Sequence, residues 1–384
     1  MRAIKAAFKI LSSLKLTVVC LCCALVLVFV GTLAQVEQGL YLAQARYFQS
    51  FMVYWSPSQG GLRIPVFPGG YFIGTVLLVN LIAAHSVRFT FTKKKIGIFM
   101  VHAGIILLLL GQLTTELFSI ESHMRLTEGE SKSYSENGRR SELVVIDPSD
   151  PTSDEVISIP ESRLKSNATI DHPRIPVTIK VRSYFPNSRL SRRAPMMATT
   201  PPPASHGLGQ TIEVAAVPPT VKMDERNLPS AVVELVGPSG SLGTWLVSSV
   251  LEDFQEFEVG GKAFKIGMRF ERYYKPFNLE LQQFTHEKYR GTEIPKNFAS
   301  RVRLKNLQTG EDREVSIYMN NPLRYGGETF YQSGFDDKDP RVTILQVVRN
   351  PSWITPYVAC TLSGAGLLVQ FLTHLIGFAK RRKS

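Results

Sequence analysis

The chain has 384 residues, 44 of them basic and 32 acidic, for a formal charge of +12 and a pI near 9.5, with a mean hydropathy of +0.01. That average pools very apolar stretches with a larger polar remainder, so it excludes neither a membrane nor a soluble protein until the stretches are separated. The basic excess excludes nucleic-acid binding once its positions are read, because it is confined to three short tracts beside apolar segments.

In chain order, the first 118 residues contain three segments free of Asp, Glu, Lys and Arg: Leu16–Ala34, Gly69–Val87 and Ile96–Thr115. A fourth, Trp353–Phe378, follows much later. Each has about 20 residues, enough to cross roughly 30 Å of hydrocarbon as a helix. The first is read as a retained helix, because its apolar run exceeds the roughly 7–15 residues of a signal-peptide core. The short segment 35–68 carries the aromatic stretch Ala45–Trp55, which predicts a small amphipathic helix lying on the outer leaflet.

Residues 119–352 read as strands. Glu142–Ile146, Val177–Phe185, Ala231–Val236, Thr244–Val250, Ala263–Phe270, Arg301–Leu304 and Val342–Val348 are short and rich in Val, Ile, Phe and Tyr, with turn residues between them. Alternation in many of them predicts half-buried antiparallel strands, and hence a sandwich-like all-β domain. Residues 187–209 shift to Arg, Pro, Ser and Thr and predict a mobile loop. Residues 353–384 supply the fourth helix and a basic tail.

The cations fix an orientation. Arg2, Lys5, Lys9 and Lys15, then Arg88, Lys93, Lys94 and Lys95, then Lys380, Arg381, Arg382 and Lys383 make twelve, matching the whole excess of +12. Removing them leaves 32 basic against 32 acidic residues. By the positive-inside rule both termini and the loop between the second and third spans face the cytoplasm, and the β domain is extracytoplasmic.

No catalytic constellation stands out, and the chain is expected not to be an enzyme on its own. His123, His172, His206 and His286 are scattered without metal spacing, and the β domain holds no cysteine, which excludes a thiol–disulfide oxidoreductase there. The remaining histidines, His85, His102 and His374, lie in apolar segments, where an ionisable group is costly and marks a candidate site. At 1.5 Å per residue, His102 is about 10 Å from Lys95, His374 about 9 Å from Lys380 and His85 about 5 Å from Arg88, so all three share the cytoplasmic half of the bilayer. Each is either a ligand or a group bonding a neighbouring helix. Burial depth favours His102 as a haem ligand over His85, with His374 between them, and Gly104, Gly111, Gly364 and Gly366 are expected to leave room for a flat cofactor between helices.

Taken together, Val101–Gly111, Tyr47–Phe51, Lys275–Leu281, Gly291–Ser300, Met319–Tyr325, Phe330–Gln332 and Val347–Pro351, in this order around four spans, resemble ResB, the cytochrome c biogenesis subunit of System II. The resemblance implies a subunit of the bacterial cytoplasmic membrane that works with a ResC/CcsA-type partner. The pair would carry non-covalent haem b across the bilayer and present it to apocytochrome c. It assigns a transmembrane iron ligand to His102, with His374 as a second candidate. The alternative is a membrane-anchored binding or sensor protein with no haem role.

Overall fold

The computed structural model describes every residue except 1–9, 56–61, 88–91, 152, 194–200, 221–224, 252, 292–294, 337 and 384, and it leaves out the side chains of 288, 295 and 383. Arg2, Lys5, Lys9 and Arg88, four of the orienting cations, lie outside the described residues, as do positions 194–200 of the Pro-rich stretch and 292–294 of the Gly291–Ser300 motif. The chain divides into a helical unit, essentially residues 1–120 and 350–384, and a β unit, 121–220 and 224–349.

The charge-free segments all become helices: α1 (Leu14–Gln38), α2 (Gly70–Val87), α3 (Ile96–Phe118) and α4 (Thr355–Lys383). Three helical stretches, Leu14–Gln38, Lys93–Phe118 and Thr355–Arg382, are long and apolar enough to cross a membrane. The second expected span forms a shorter apolar helix, Gly70–Ser86. Within α2, Asn80 is 2% exposed. Its amide donates to the carbonyls of Leu11 (2.5 Å) and Ser13 (3.1 Å) and accepts from Thr17 Oγ1 (2.6 Å). Leu11 and Ser13 flank the break before α1, and the Ser13 carbonyl also accepts from the Leu16 and Thr17 amides, so the side chain ties this break to α2.

The predicted outer-leaflet helix is not what forms. A π-helical turn, Gln44–Phe48, leads into a hairpin of β1 (Met52–Trp55) and β2 (Ile64–Pro68). Tyr47 and Phe48 pack with Cys20, Leu27, Val53 and Ile73 in the core between α1 and α2. Gly31 makes that possible, since a Cβ there would stand 2.7 Å from Phe48 Cζ. The aromatic run is therefore partly core, and its amphipathic pattern misread a packing surface as a lipid-facing one.

The β unit holds β3 (Ile120–Thr127), β4 (Ser131–Asp147), β5 (Glu155–Pro160), β6 (Thr169–Ile170), β7 (Thr178–Phe185), β8 (Ser188–Arg192) and β9 (Ile212–Ala216). It continues through β10 (Ser230–Gly237), β11 (Gly240–Ser248), β12 (Gln255–Val259), β13 (Lys262–Lys288), β14 (Pro295–Asn306), β15 (Glu311–Tyr318), β16 (Leu323–Tyr325), β17 (Glu328–Phe335) and β18 (Val342–Arg349). The large sheet runs β15-β14-β13-β4-β3-β18-β17-β16, with β5 beside β4 and β12 beside β13; a smaller one runs β11-β10-β7-β6.

Only half of this is the expected sandwich. Leu143, Val145, Ile157, Phe264, Ile266 and Met268 of the large sheet face Ile179, Val181, Val233, Leu235 and Val247 of the small one. In the other half the large sheet curls on itself around Met124, Leu126, Leu279, Leu281, Val302, Leu304, Ile317, Phe330 and Leu345, and a tight turn bridged between Tyr318, the last residue of β15, and Asn321 leads toward β16. The 27-residue strand β13 serves both cores. Its core positions change parity, from Phe264, Ile266 and Met268 to Phe277, Leu279 and Leu281, which a regular strand of period two cannot do. Of the two register shifts against β4, the one between Phe270 and Arg272 puts its extra residues on β4, and the one between Tyr274 and Leu279 puts them on β13, where they change the parity. Pro276, which cannot donate to a ladder, falls inside the second shift.

The described part of the Pro-rich stretch is docked, which corrects the expectation of a mobile loop over 187–209. Strand β8 pairs with β9 across it. Ala204, 2% exposed, packs with Val232 and Leu246. The Ser205 amide donates to Thr244 Oγ1 (2.8 Å), and the His206 amide to the Thr244 carbonyl (3.0 Å). Gly243 (φ +94°) allows this approach, because a Cβ there would lie 2.1 Å from His206 Nδ1. Composition counted the polar residues but not the one alanine that finds a pocket.

Candidate functional site

The structure brings two of the three membrane histidines together. His85, three residues from the end of α2, and His102, in the second turn of α3, have ring centroids 4.7 Å apart with planes inclined at 63°, edge to face. The agreement in depth inferred from the sequence is thus a direct contact between rings. His85 Nδ1 lies 3.0 Å from the Leu81 carbonyl. That contact places a proton on Nδ1, because a carbonyl can only accept. Nε2 of His85 and Nδ1 of His102 are both buried.

Beside the pair runs a groove of about 310 Å³ lined by His85, Phe99, Ala103, Ile106, Leu107 and Leu110. Its α3 residues climb from Phe99 to Leu110, about 16 Å of helix. Apart from the imidazole, the wall is hydrocarbon. His85 lines the groove, whereas His102 stands behind it.

The glycines do not make the cofactor slot expected of them. Gly97, Gly104 and Gly111 recur every seven residues on one face of α3 and are buried. A Cβ on Gly104 would meet Ser363 Oγ at 2.1 Å and the Ala359 carbonyl at 2.7 Å; one on Gly97 would meet the Gly366 carbonyl at 2.6 Å; one on Gly111 would meet Thr355 Cγ2 at 2.5 Å. The space is filled by α4, in a heptad seam of small residues that lets two backbones approach. Gly364 faces none of these contacts. His374 is exposed on α4, its Nε2 2.7 Å from Gln370 Nε2, so the Gln370 amide donates to it. No ring contact joins His374 to the His85–His102 pair among the described residues.

Comparison with known proteins bears on the other unit. Residues 243–349 match the model of the ResB-like family. The similarity is confined to this segment. A stretch of 97 residues is also 35% identical to Protein NrfI of Wolinella succinogenes, covering 25% of this chain and 11% of that protein's length. The ResB-like segment runs from within β11 to the end of β18 and contains the motifs at 275–281, 291–300, 319–325 and 330–332 on which the resemblance was read. His85, His102 and His374 lie outside it.

Within the ResB-like segment the shift in β13 turns Lys275 inward. Its side chain is 2% exposed, and Nζ lies 2.6 Å from Glu328 Oε2, whose side chain is 16% exposed. The ammonium also stands 5.6 Å from the centroid of Phe330. Burial pushes the Lys275 pKa below its ordinary value, with the Glu328 hydrogen bond and charge opposing that shift. Glu328 is placed by the two-residue turn Gly326-Gly327, both at positive φ (59° and 78°), between paired Tyr325 and Glu328. Gly326 is held close to Phe277, its notional Cβ 2.9 Å from Phe277 Cε1. The Gly326–Thr329 stretch went unread in the sequence, although a Gly-Gly pair between alternating residues is a hairpin signal.

The histidines of the β unit occupy separate places. His286 stacks among Phe298 (4.8 Å) and Phe335 (4.2 Å) with Nε2 buried and unbonded, and His206 stacks on Trp245 at 5.5 Å. His123 is half-buried, and burial followed by the Arg226 charge lowers its pKa. They form no joint site.

Proposed function

We propose that this protein is the ResB-type subunit of a System II cytochrome c maturation complex, which takes haem from the cytoplasmic side of the membrane and passes it toward apocytochrome c with a ResC/CcsA-type partner. The observation that carries the haem part is the groove beside α3. It is apolar, built on a helix whose other face is packed through glycines, and bordered by the imidazole of His85. An apolar wall with a histidine pair beside it suits an apolar macrocycle that carries iron. The ResB-like segment supports the pathway, and the basic tracts support four spans with both termini cytoplasmic and the β unit extracytoplasmic.

In this reading haem is cargo. The helical unit binds its iron and excludes water from it, while covalent attachment depends on groups outside this chain. A protein that only sensed an envelope ligand would not need a histidine pair at one depth in two apolar helices. The test is colour: full-length protein purified in detergent, alone and with its partner, is expected to carry a Soret band or to acquire one on titration with haemin. Absence of binding in both preparations would refute the reading. Reporter fusions near Asn137 and Gly310 are expected to report outside, and an inside signal would overturn the topology.

A further inference from the structure

Part of the apolar surface between α1 and α2 has no place in the core of the helical unit. In the β1–β2 hairpin Val53 and Phe67 are cross-strand partners and pack with Cys20, Leu27 and Ile73. Phe51, Tyr54, Trp55, Leu62, Ile64 and Val66 stay exposed. The hairpin is fixed to the first turn of α2. The Gly69 amide donates to the Phe51 carbonyl (2.9 Å) and the Tyr71 amide to the Ser50 carbonyl (3.2 Å), and a Cβ on Gly70 would lie 2.4 Å from the Phe48 carbonyl oxygen. These side chains are therefore held at the end of α2 where the second span begins. That helix is short: Gly70–Ser86 rises about 25 Å, against roughly 30 Å of hydrocarbon. A span shorter than the bilayer needs apolar surface or interfacial anchors beyond its end.

We infer that the β1–β2 hairpin is a membrane-surface anchor, which seats Tyr54, Trp55, Ile64 and Val66 between the headgroups and acyl chains of the outer leaflet and sets Arg63 against the phosphate of an anionic phospholipid. This goes beyond the haem reading; only its leaflet rests on the proposed topology. The lipid contact expected of residues 45–55 as a helix thus falls to other residues, on a hairpin. Charge selects lipid as the partner: residues 38–69 contain two cations, Arg46 and Arg63, and no acid, and both arginines are exposed. Tyr and Trp favour the same level. The backbone limits the depth. Each strand of this two-stranded sheet has an edge with no strand beside it, which hydrocarbon does not tolerate and headgroups do. Those edges are partly blunted, since Pro65 and Pro68 carry no N–H and the Arg46 guanidinium donates to the Tyr54 carbonyl (3.1 Å).

The experiment is depth-dependent quenching in vesicles of phosphatidylcholine and phosphatidylglycerol brominated at different acyl positions. Full-length protein carrying Trp245→Phe and Trp353→Phe retains Trp55 as its one tryptophan. Its emission is expected to be quenched most by bromine near the headgroups and least by bromine at the bilayer centre. Brominated phosphatidylglycerol should quench more than brominated phosphatidylcholine at equal mole fraction, and Arg63→Gln should lower that preference about fivefold, the scale for one arginine at an anionic surface. A second arm keeps all three tryptophans and the native assembly: p-benzoylphenylalanine in place of Val66 is photolysed in cells, and the hairpin peptide is expected to gain the mass of a phospholipid. Absence of quenching at every depth, or a maximum at the bilayer centre, would overturn the inference. So would crosslinking of position 66 to protein in place of lipid, which would make the hairpin the seat of a partner. If a reporter at Gly310 reads outside while Trp55 is unquenched, the anchor falls and the topology stands; if it reads inside, the topology and the leaflet fall together.

Discussion

Replacing Glu328 by Gln would leave the shape of the Lys275 site almost unchanged and remove the carboxylate paired with its ammonium. The Lys275 side chain is 2% exposed, so its ammonium cannot turn to water for compensation. Breaking a buried pair by removing one partner costs about 3–5 kcal/mol, because the surviving charge is left in a poorly solvating site. A domain of this size loses roughly 2–4 °C of Tm per kcal/mol, so the β unit of Glu328→Gln is expected to melt roughly 6–20 °C lower at neutral pH. The assay is thermal unfolding of the full-length protein in detergent, followed by near-UV circular dichroism.

The pH dependence has a defined sign. Burial already holds the folded Lys275 pKa below 10.5, the value for an unperturbed lysine. Between the folded pKa and that value the unfolded chain binds more protons than the folded one, and stability rises with pH. Without Glu328 the folded pKa falls further and the window opens toward lower pH, so the deficit should shrink as pH rises toward the value of an unperturbed lysine. Lys275→Met combined with Glu328→Gln removes the charge while retaining volume, and should recover most of the lost stability. A single variant melting within about 2 °C of the parent, or a double variant no better than the single, would refute the reasoning.

Gly104→Val is expected to part α3 from α4 and to cost about 1–3 kcal/mol or more, the usual range for overpacking. Adding Ser363→Gly should rescue it only in part, because the Ala359 carbonyl remains 2.7 Å from the new Cβ; the measurement is resistance to SDS-induced unfolding, and full rescue would refute the account. Gly243→Ala should undock the segment Ala204–His206, since it strains a φ of +94° and pushes a methyl into His206. Faster proteolysis near Ser205 and a red-shifted Trp245 emission are the readouts, and unchanged values for both would show that the segment tolerates the methyl.

The membrane-crossing candidates, the sign of the charge asymmetry and most strands of the β unit were legible in the sequence because they depend on local properties. A run without charges, a cluster of lysines and an alternation of apolar residues each report how a few neighbouring residues partition between water and hydrocarbon. Gly104, Gly111, Gly364 and Gly366 were legible in the same way but were read as space for a cofactor, since small residues do not say what fills the room they leave; the heptad that Gly97 completes went unnoticed.

Register and pairing were decided by the tertiary structure. Strand β13 could not be read as continuous because its buried positions change parity at a shift that only the partner strand β4 defines. Lys275 and Glu328, 53 residues apart, meet because that shift and the Gly326-Gly327 turn aim them at one point. His85 looked like the shallowest of the three membrane histidines, and depth along a helix is all that a sequence provides. Whether it faces a groove, a neighbouring imidazole or lipid depends on the rotation of α2 against α3. That rotation is fixed by packing among residues far apart in the chain, because each helix buries the face its neighbours leave no room to expose.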